Sequence, residues 1–278
     1  MDKRIKAGVN WFQKKKWRPF PFQIETWENY LSGRSGLLNA PTGSGKTYAL
    51  WIAFLISKLD EKPQKGLKFL WVLPLRALSK DIQSAMQAAA HDFGFDWKIE
   101  IRTGDTPTKD RQRQKKTPPD CLITTPESLH LLLSQKKATE YFKNLEAVVV
   151  DEWHELLGSK RGTQVELALS SFKKLSNNSL KIWGISATIG NLHEAQEVLL
   201  GGNDKQGIFI SANFDKEIKI ESILPDEVEK YPWAGHLGIK LIDKVLPIIN
   251  QNKTTLIFTN TRSQTEIWYQ QLLNKAPE

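Results

Sequence analysis

Five short apolar runs, separated by longer stretches with helical periodicity, restrict this chain more than any other feature of its sequence. The runs fall at residues 67–73, 98–101, 120–124, 147–150 and 181–185. Val148-Val149-Val150 is apolar without alternation. An unbroken run of this kind suits a strand whose two faces are both covered, whereas a half-solvated strand alternates apolar and polar residues. Helical patterns at residues 47–59, 78–91, 126–133 and 164–175 intervene. This order predicts βαβ crossovers and a mostly parallel sheet sandwiched by helices, an α/β fold.

The turn-rich cluster Gly201-Gly202-Asn203-Asp204 marks a break. Residues 1–205 are expected to form one domain and residues 206–278 an incomplete second one. In the second, residues 217–224 and 254–259 read as strands, with a helix over 236–249 between them. So few strands do not close a sheet, so the chain is expected to be truncated.

Residues 40–47 read Ala40-Pro41-Thr42-Gly43-Ser44-Gly45-Lys46-Thr47. They match the phosphate-loop pattern G-x-x-x-x-G-K-[ST], with alanine at its first position. Gly43 and Gly45 let the backbone curl so that successive N–H groups point at phosphate oxygens. Lys46 is expected to place a cation against the β- and γ-phosphates, and the Thr47 hydroxyl to ligate magnesium. The helix that follows adds its N-terminal dipole. A plain Gly/Ser turn would not need Gly, Lys and Thr in that order after the strand-like Leu37-Leu38-Asn39.

About a hundred residues on, Asp151 and Glu152 follow the buried run 147–150. Ligands of open α/β sheets bind beyond the carboxyl ends of strands, where these acids would sit. Asp151 is expected to hold magnesium and Glu152 to orient and deprotonate a water. An Asp-Glu pair alone is usually a solvated strand end; with the phosphate loop it becomes a second part of one hydrolytic site using ATP and Mg2+.

With these residues in hand, the chain resembles the superfamily 2 helicases of the DExH branch. Phe20-Pro21-Phe22-Gln23 looks like the Q-motif, in which Gln23, with Phe20 beside it, would contact the adenine. Segments containing Pro74 and Arg76, Gly104, and Thr125 and Pro126 look like motifs Ia, Ib and Ic. Ser186-Ala187-Thr188 looks like motif III, and the segment with Thr259, Asn260 and Arg262 like motif IV. Trp153 inside the Asp-Glu-Trp-His box and the Gly-Ser-Lys-Arg-Gly tail at residues 158–162 resemble the Lhr-type helicases, most of all the bacterial ligase-associated DEXH-box group. The resemblance runs from about Trp11 to Leu273.

It implies an ATP-driven 3′-to-5′ translocase on single-stranded DNA that opens duplexes and RNA:DNA hybrids. A DNA ligase or another repair protein is the implied partner. Pro74, Arg76, Gly104, Thr125, Pro126, Thr259, Asn260 and Arg262 are the implied strand contacts, made to sugar and phosphate without sequence readout. His154, Ser186 and Thr188 would couple the two sites. An RNA helicase would share every motif, and a truncated fragment that binds without catalysis is a further alternative. The arginine fingers expected of a second domain are not found, so this chain is expected to bind nucleotide but hydrolyse it slowly.

The net charge of +8 leans towards a polyanionic partner. Lys14-Lys15-Lys16 and the basic stretch 109–116 read as solvated faces or loops. The single cysteine, Cys121, leaves no internal disulfide and fits a reducing cytoplasm. Its apolar neighbours mark it as a core residue. The N-terminal residues 1–6 lack an apolar signal segment, and no apolar run is long enough to span a bilayer. His91, His130, His193 and His236 lack metal-ligand spacing, and Trp11, Trp17, Trp27, Trp51, Trp71 and Trp97 read as packing.

Overall fold

A computed structural model of the chain describes residues 2–62, 64–175, 180–187, 190–202, 207–212, 219–225 and 238–276. Two compact units divide it, Met1–Phe214 and Asp215–Glu278.

Among the described residues, the first unit carries a seven-stranded parallel sheet. Its strands are β1 (Gly36–Asn39), β2 (Phe69–Val72), β3 (Ile99–Arg102), β4 (Cys121–Thr124), β5 (Ala147–Val150), β6 (Lys181–Ser186) and β7 (Ile208–Ser211). They lie side by side in the order β3-β4-β2-β5-β6-β1-β7. The helices are α1 (Lys3–Lys14), α2 (Pro21–Leu31), α3 (Lys46–Ser57), α4 (Ser79–Asp92), α5 (Thr108–Lys116), α6 (Pro126–Leu133), α7 (Ala138–Phe142), α8 (Trp153–Leu156), α9 (Lys160–Leu175) and α10 (Leu192–Leu200). No described helix is long and apolar enough to cross a membrane.

The five expected strands are all present, and the physical reason given for them holds. Along β5, Val149 enters a core shared with Trp51, Phe54 and Trp71, while Val148 and Val150 enter another shared with Leu70, Trp153 and Phe172. Each face therefore buries its own alternate set, and the sequence reads as continuously apolar. Helix α3 fills the middle of the first core, with Ala49 through Ile56 fully buried. Cys121 is buried there too, and desolvation pushes its thiol well above its usual range.

Parallel pairing brings all carboxyl ends to one rim. Asn39 lies beside Ser186, Val72 beside both Val150 and Thr124, and Thr124 beside Arg102. The opposite rim is closed by ion pairs, Lys68 with Asp120 at 2.5 Å and Lys58 with Glu146.

The first unit extends beyond the boundary expected after residue 205. Strand β7 pairs with β1 through Gly36 to Asn39, so it belongs to the first sheet and carries the unit to Phe214. In the second unit, a short 3-10 turn (Gly238–Leu241) leads into α11 (Ile242–Gln251), and α12 (Arg262–Lys275) follows. The expected helix over 236–249 thus forms, though residues 236 and 237 lie outside the described ones. The strands expected at 217–224 and 254–259 do not form among the described residues. A strand needs a hydrogen-bonded neighbour, and Leu256 and Phe258, 76% and 88% exposed, have none among the described residues. Residues 217 and 218 lie outside the described part.

The basic stretch 109–116 is helix α5 and not a loop, and Lys109, Arg113, Lys115 and Lys116 form the solvated face expected there. Gln114 anchors it inward by accepting from Arg102 at 3.2 Å and donating to the Ile101 carbonyl at 3.1 Å.

Candidate active site

The loop between β1 and α3 turns on two residues with positive φ, Gly43 at 77° and Gly45 at 83°. Only glycine adopts this region without strain, and Gly45 is the residue from which α3 departs. The loop is pinned from three sides. The Ala40 N–H donates to the Ser186 carbonyl at 3.0 Å, tying the loop to the end of β6. Lys46 reaches back across the loop to donate to the Ala40 carbonyl at 2.8 Å. Gln23, buried in α2, donates to the Gly45 carbonyl at 3.0 Å while its oxygen accepts the Phe20 N–H at 2.9 Å. A methyl group added at Gly45 would meet the Gln23 amide at 2.8 Å. Gln23 therefore braces the loop directly, a contact that its resemblance to the Q-motif glutamine did not suggest. Phe20 is 43% exposed and stacked on Phe22, with ring centroids 6.0 Å apart.

Ser44 Oγ is buried in this loop without a hydrogen-bond partner, and a Cβ at Gly43 would meet nothing within 4 Å. An orphaned hydroxyl beside open space at the N-terminus of α3 fits an anion such as phosphate.

At the end of β5 the chain turns immediately into α8. It does so through Glu152, a non-glycine residue at φ 45°. That conformation costs about 1–2 kcal/mol, and such strain concentrates where position matters. Asp151 is buried and accepts two hydrogen bonds, from Trp71 Nε1 at 3.1 Å and from the Glu152 N–H at 2.9 Å. Burial raises its carboxyl from 3.8 to about 6, with the neighbouring charge of Glu152 adding to the effect. The two hydrogen bonds and Lys46 oppose that rise without cancelling it. Burial also pulls the Lys46 ammonium below its usual range, against the attraction of Glu152 and Asp151. The three charges are thus mutually coupled at one rim.

His154, one residue into α8, lies 3.1 Å from Ser186 Oγ through Nδ1 and 3.5 Å from Glu152 Oε2. Ser186 ends β6, the strand between β1 and β5. Its side chain is fully buried. A path of contacts therefore runs from Glu152 through His154 to Ser186, whose carbonyl holds the phosphate loop. Thr188 lies outside the described residues.

Thr47 and Asp151 bring one hydroxyl and one carboxylate to this rim. No group of three or more His, Cys, Asp or Glu forms among the described residues. That donor set suits magnesium, which takes one or two carboxylates and completes its shell with phosphate and water.

A family model described as "DEAD/DEAH box helicase" matches residues 20–196, from the phenylalanine before Gln23 past the end of β6. The chain belongs to the DEAD/DEAH box helicase family. It is 38% identical over 267 residues to ATP-dependent helicase Lhr-Core protein 2 of Thermococcus barophilus, covering 88% of this chain and 30% of that protein. It is 29% identical to the Lhr helicase/uracil glycosylase of Escherichia coli, over 94% of this chain and 19% of the other. Among solved structures it resembles Mycobacterium smegmatis helicase Lhr bound to ssDNA and AMP-PNP. That match has a TM-score of 0.78 and 26% identity, and covers 98% of this chain and 36% of that one. The chain spans about a third or less of the length of each of these relatives.

The helicase motifs expected to touch nucleic acid divide on inspection. Arg76 and Gly104 are exposed and adjoin each other, with the Arg76 guanidinium lying over Gly104 and paired to Asp105 at 3.0 Å. Pro74, Thr125 and Pro126 are buried instead. Thr125, 1% exposed, turns its hydroxyl inward to Ser128 at 3.4 Å. These three side chains shape the loop bases and do not present themselves to solvent. Thr259, Asn260 and Arg262 belong to the second unit, where the Thr259 hydroxyl bonds that of Thr265 at 2.6 Å and Arg262 opens α12.

Two residues of the site had no assigned role in the sequence. Trp71 reads as core but donates to Asp151; no signal in the sequence marks it, because the contact depends on β2 lying beside β5. Arg161 stands in the tail that carried the Lhr resemblance. Of the six tryptophans read as packing, Trp11, Trp27, Trp51 and Trp71 are buried. Trp17 is 47% exposed, packed on Trp11, Phe12 and Tyr48.

Proposed function

We propose that this chain is the nucleotide-binding motor domain, with part of its companion domain, of an ATP-dependent DNA helicase that moves 3′-to-5′ on single-stranded DNA. The observation that carries the reading is the convergence of Lys46, Asp151 and Glu152 on one sheet rim, joined through His154 and Ser186 to the phosphate loop. The backbone of residues 43–47 cradles the β- and γ-phosphates, and Lys46 neutralises their charge. Thr47 and Asp151 hold magnesium, which supplies further charge neutralisation at the phosphates. Glu152 orients the attacking water and accepts its proton. His154, Ser186 and Thr188 relay the state of this site to the strand-binding loops.

The strand is gripped in the first unit by Arg76 and by backbone groups around Gly104, Thr125 and Pro126; Thr259, Asn260 and Arg262 are the second unit's own strand contacts. Contacts of this kind recognise sugar and phosphate, not base sequence. Phe20 lies against the adenine, and Gln23 contacts it while bracing the loop. The names of the relatives support the helicase reading, and the ssDNA and AMP-PNP held by the Mycobacterium smegmatis protein support its ligands. The resemblance to the ligase-associated group extends the reading to DNA repair in the cytoplasm, with a DNA ligase as partner.

The test is a titration of the chain with a fluorescent ATP analogue and with labelled single strands of DNA and RNA. Magnesium-dependent nucleotide binding and a preference for DNA support the reading. Nucleotide binding that ignores magnesium, or a preference for RNA, overturns the corresponding part of it.

A further inference from the structure

The Gly-Ser-Lys-Arg-Gly tail has no place in the nucleotide site, yet it is built with tight tolerances. Gly158 turns the chain at φ 68°. Ser159 Oγ donates to the Leu156 carbonyl at 2.6 Å and accepts the Gly162 N–H at 3.1 Å. A Cβ at Gly162 would stand 2.1 Å from the Leu156 carbonyl oxygen, so only glycine fits. The end of α8 and the start of α9 are thereby joined into one stiff piece. That piece begins at Glu152 and His154 and ends at Arg161.

Arg161 then reaches two separate loops. Its Nε donates to Glu127 Oε1 at 2.5 Å and its Nη2 to Glu127 Oε2 at 3.4 Å. The same Nη2 donates to the Pro74 carbonyl at 2.8 Å. Pro74 leads to Arg76, and Glu127 follows Pro126, so one guanidinium ties together the bases of two proposed strand-binding loops. The planar fork of arginine can serve both at once, whereas a lysine ammonium cannot reproduce that geometry. Arg161 also sits in the first turn of α9, where the helix dipole disfavours a cation. Local helix energetics therefore do not explain its presence, while the contacts with Glu127 and Pro74 do. Burial opposes ionisation of Glu127, but its hydrogen bonds and the charge of Arg161 outweigh this and hold the carboxyl below its usual range.

We propose that Arg161 is a positioning residue that locks the loops at Pro74 and Glu127 to the segment carrying Glu152 and His154, so that nucleotide binding and strand binding depend on each other through it. This rests on the helicase reading above. Arg161 touches neither ligand, and its effect is on the coupling between them.

The experiment measures the affinity of the chain for a labelled oligo-dT by fluorescence anisotropy, with and without saturating AMP-PNP and magnesium. In the wild type the two affinities should differ by about fivefold or more, the lower end of ordinary coupling between sites. Arg161→Ala should reduce that ratio to less than about twofold while nucleotide affinity without DNA stays within about twofold of wild type. Arg161→Lys, which can reach one acceptor but not both, should fall between. Glu127→Gln weakens the same clamp from the other side and should also lower the ratio. If Arg161→Ala fails to fold, Arg161→Lys and Glu127→Gln decide the matter. A wild-type ratio in the folded variants overturns the role of Arg161 alone. A wild type that binds neither ligand overturns the helicase reading and this inference with it.

Discussion

Replacing Asp151 by asparagine should abolish the pH dependence of stability that its carboxyl imposes, while removing a group that the proposed reaction needs. The raised carboxyl, about 6 against 3.8 when unperturbed, means the folded chain holds this proton more tightly than the unfolded chain does. Stability is then greatest below the unfolded value and is lost as pH rises through about 6. At about 1.4 kcal/mol per pH unit, the loss by pH 7.5 amounts to about 3 kcal/mol. Asparagine has no proton to lose. Trp71 Nε1 and the Glu152 N–H both donate to this side chain, and the asparagine NH2, unlike a carboxyl oxygen, cannot accept, so the variant loses one of these bonds at every pH at a cost of about 1–3 kcal/mol. The variant should therefore be the less stable of the two near pH 4, and the difference should shift in its favour by about 2–3 kcal/mol by pH 7.5. For a unit of this size that shift changes the difference in Tm between the two proteins by about 4–12 °C.

Thermal unfolding of both proteins from pH 4.5 to 8 in chelator, followed by circular dichroism, reads the difference directly. A difference that does not change with pH, or that shifts towards the wild type as pH rises, refutes the reasoning. Adding magnesium and AMP-PNP should then stabilise the wild type much more than the variant.

Other perturbations test neighbouring parts of the account. Lys46→Ala removes a charge-assisted contact to the phosphates worth about 1.5–3 kcal/mol, so nucleotide affinity measured by calorimetry should fall about 10- to 150-fold. Trp71→Phe deletes a hydrogen bond to the ionised form of Asp151, so the carboxyl should rise further. The pH midpoint of magnesium-dependent nucleotide binding should move up by about one to two units, read by analogue fluorescence. Gly162→Ala forces a Cβ into the Leu156 carbonyl and should cost about 2–4 kcal/mol in urea unfolding.

The sheet was legible because its strands are buried on both faces, which leaves unbroken apolar runs such as Val148-Val149-Val150. The site was legible where chemistry demands residue types at fixed spacing, as in Gly43 to Thr47 and Asp151-Glu152. What escaped the sequence depends on neighbours far apart in the chain. Strand β7 reads as the start of a second domain until its pairing with β1 is known. Trp71 is an ordinary core residue until β2 lies beside β5. The burial of Pro74, Thr125 and Pro126 is equally invisible, because a motif gives order along the chain and not which side chain faces water. Arg161 stood in a motif whose spacing was recognised, but its two acceptors come from other loops. The expected strand at residues 254–259 fails for a related reason: apolar content does not make a strand where the described residues offer no neighbour to bond.

The most direct measurement is a crystal structure of the chain grown with AMP-PNP and manganese, the metal located by its anomalous signal. The γ-phosphate should lie against Lys46 Nζ and the metal at the Thr47 hydroxyl, facing Asp151 directly or through water. A nucleotide bound elsewhere on the chain, or a metal remote from Thr47 and Asp151, would contradict this arrangement.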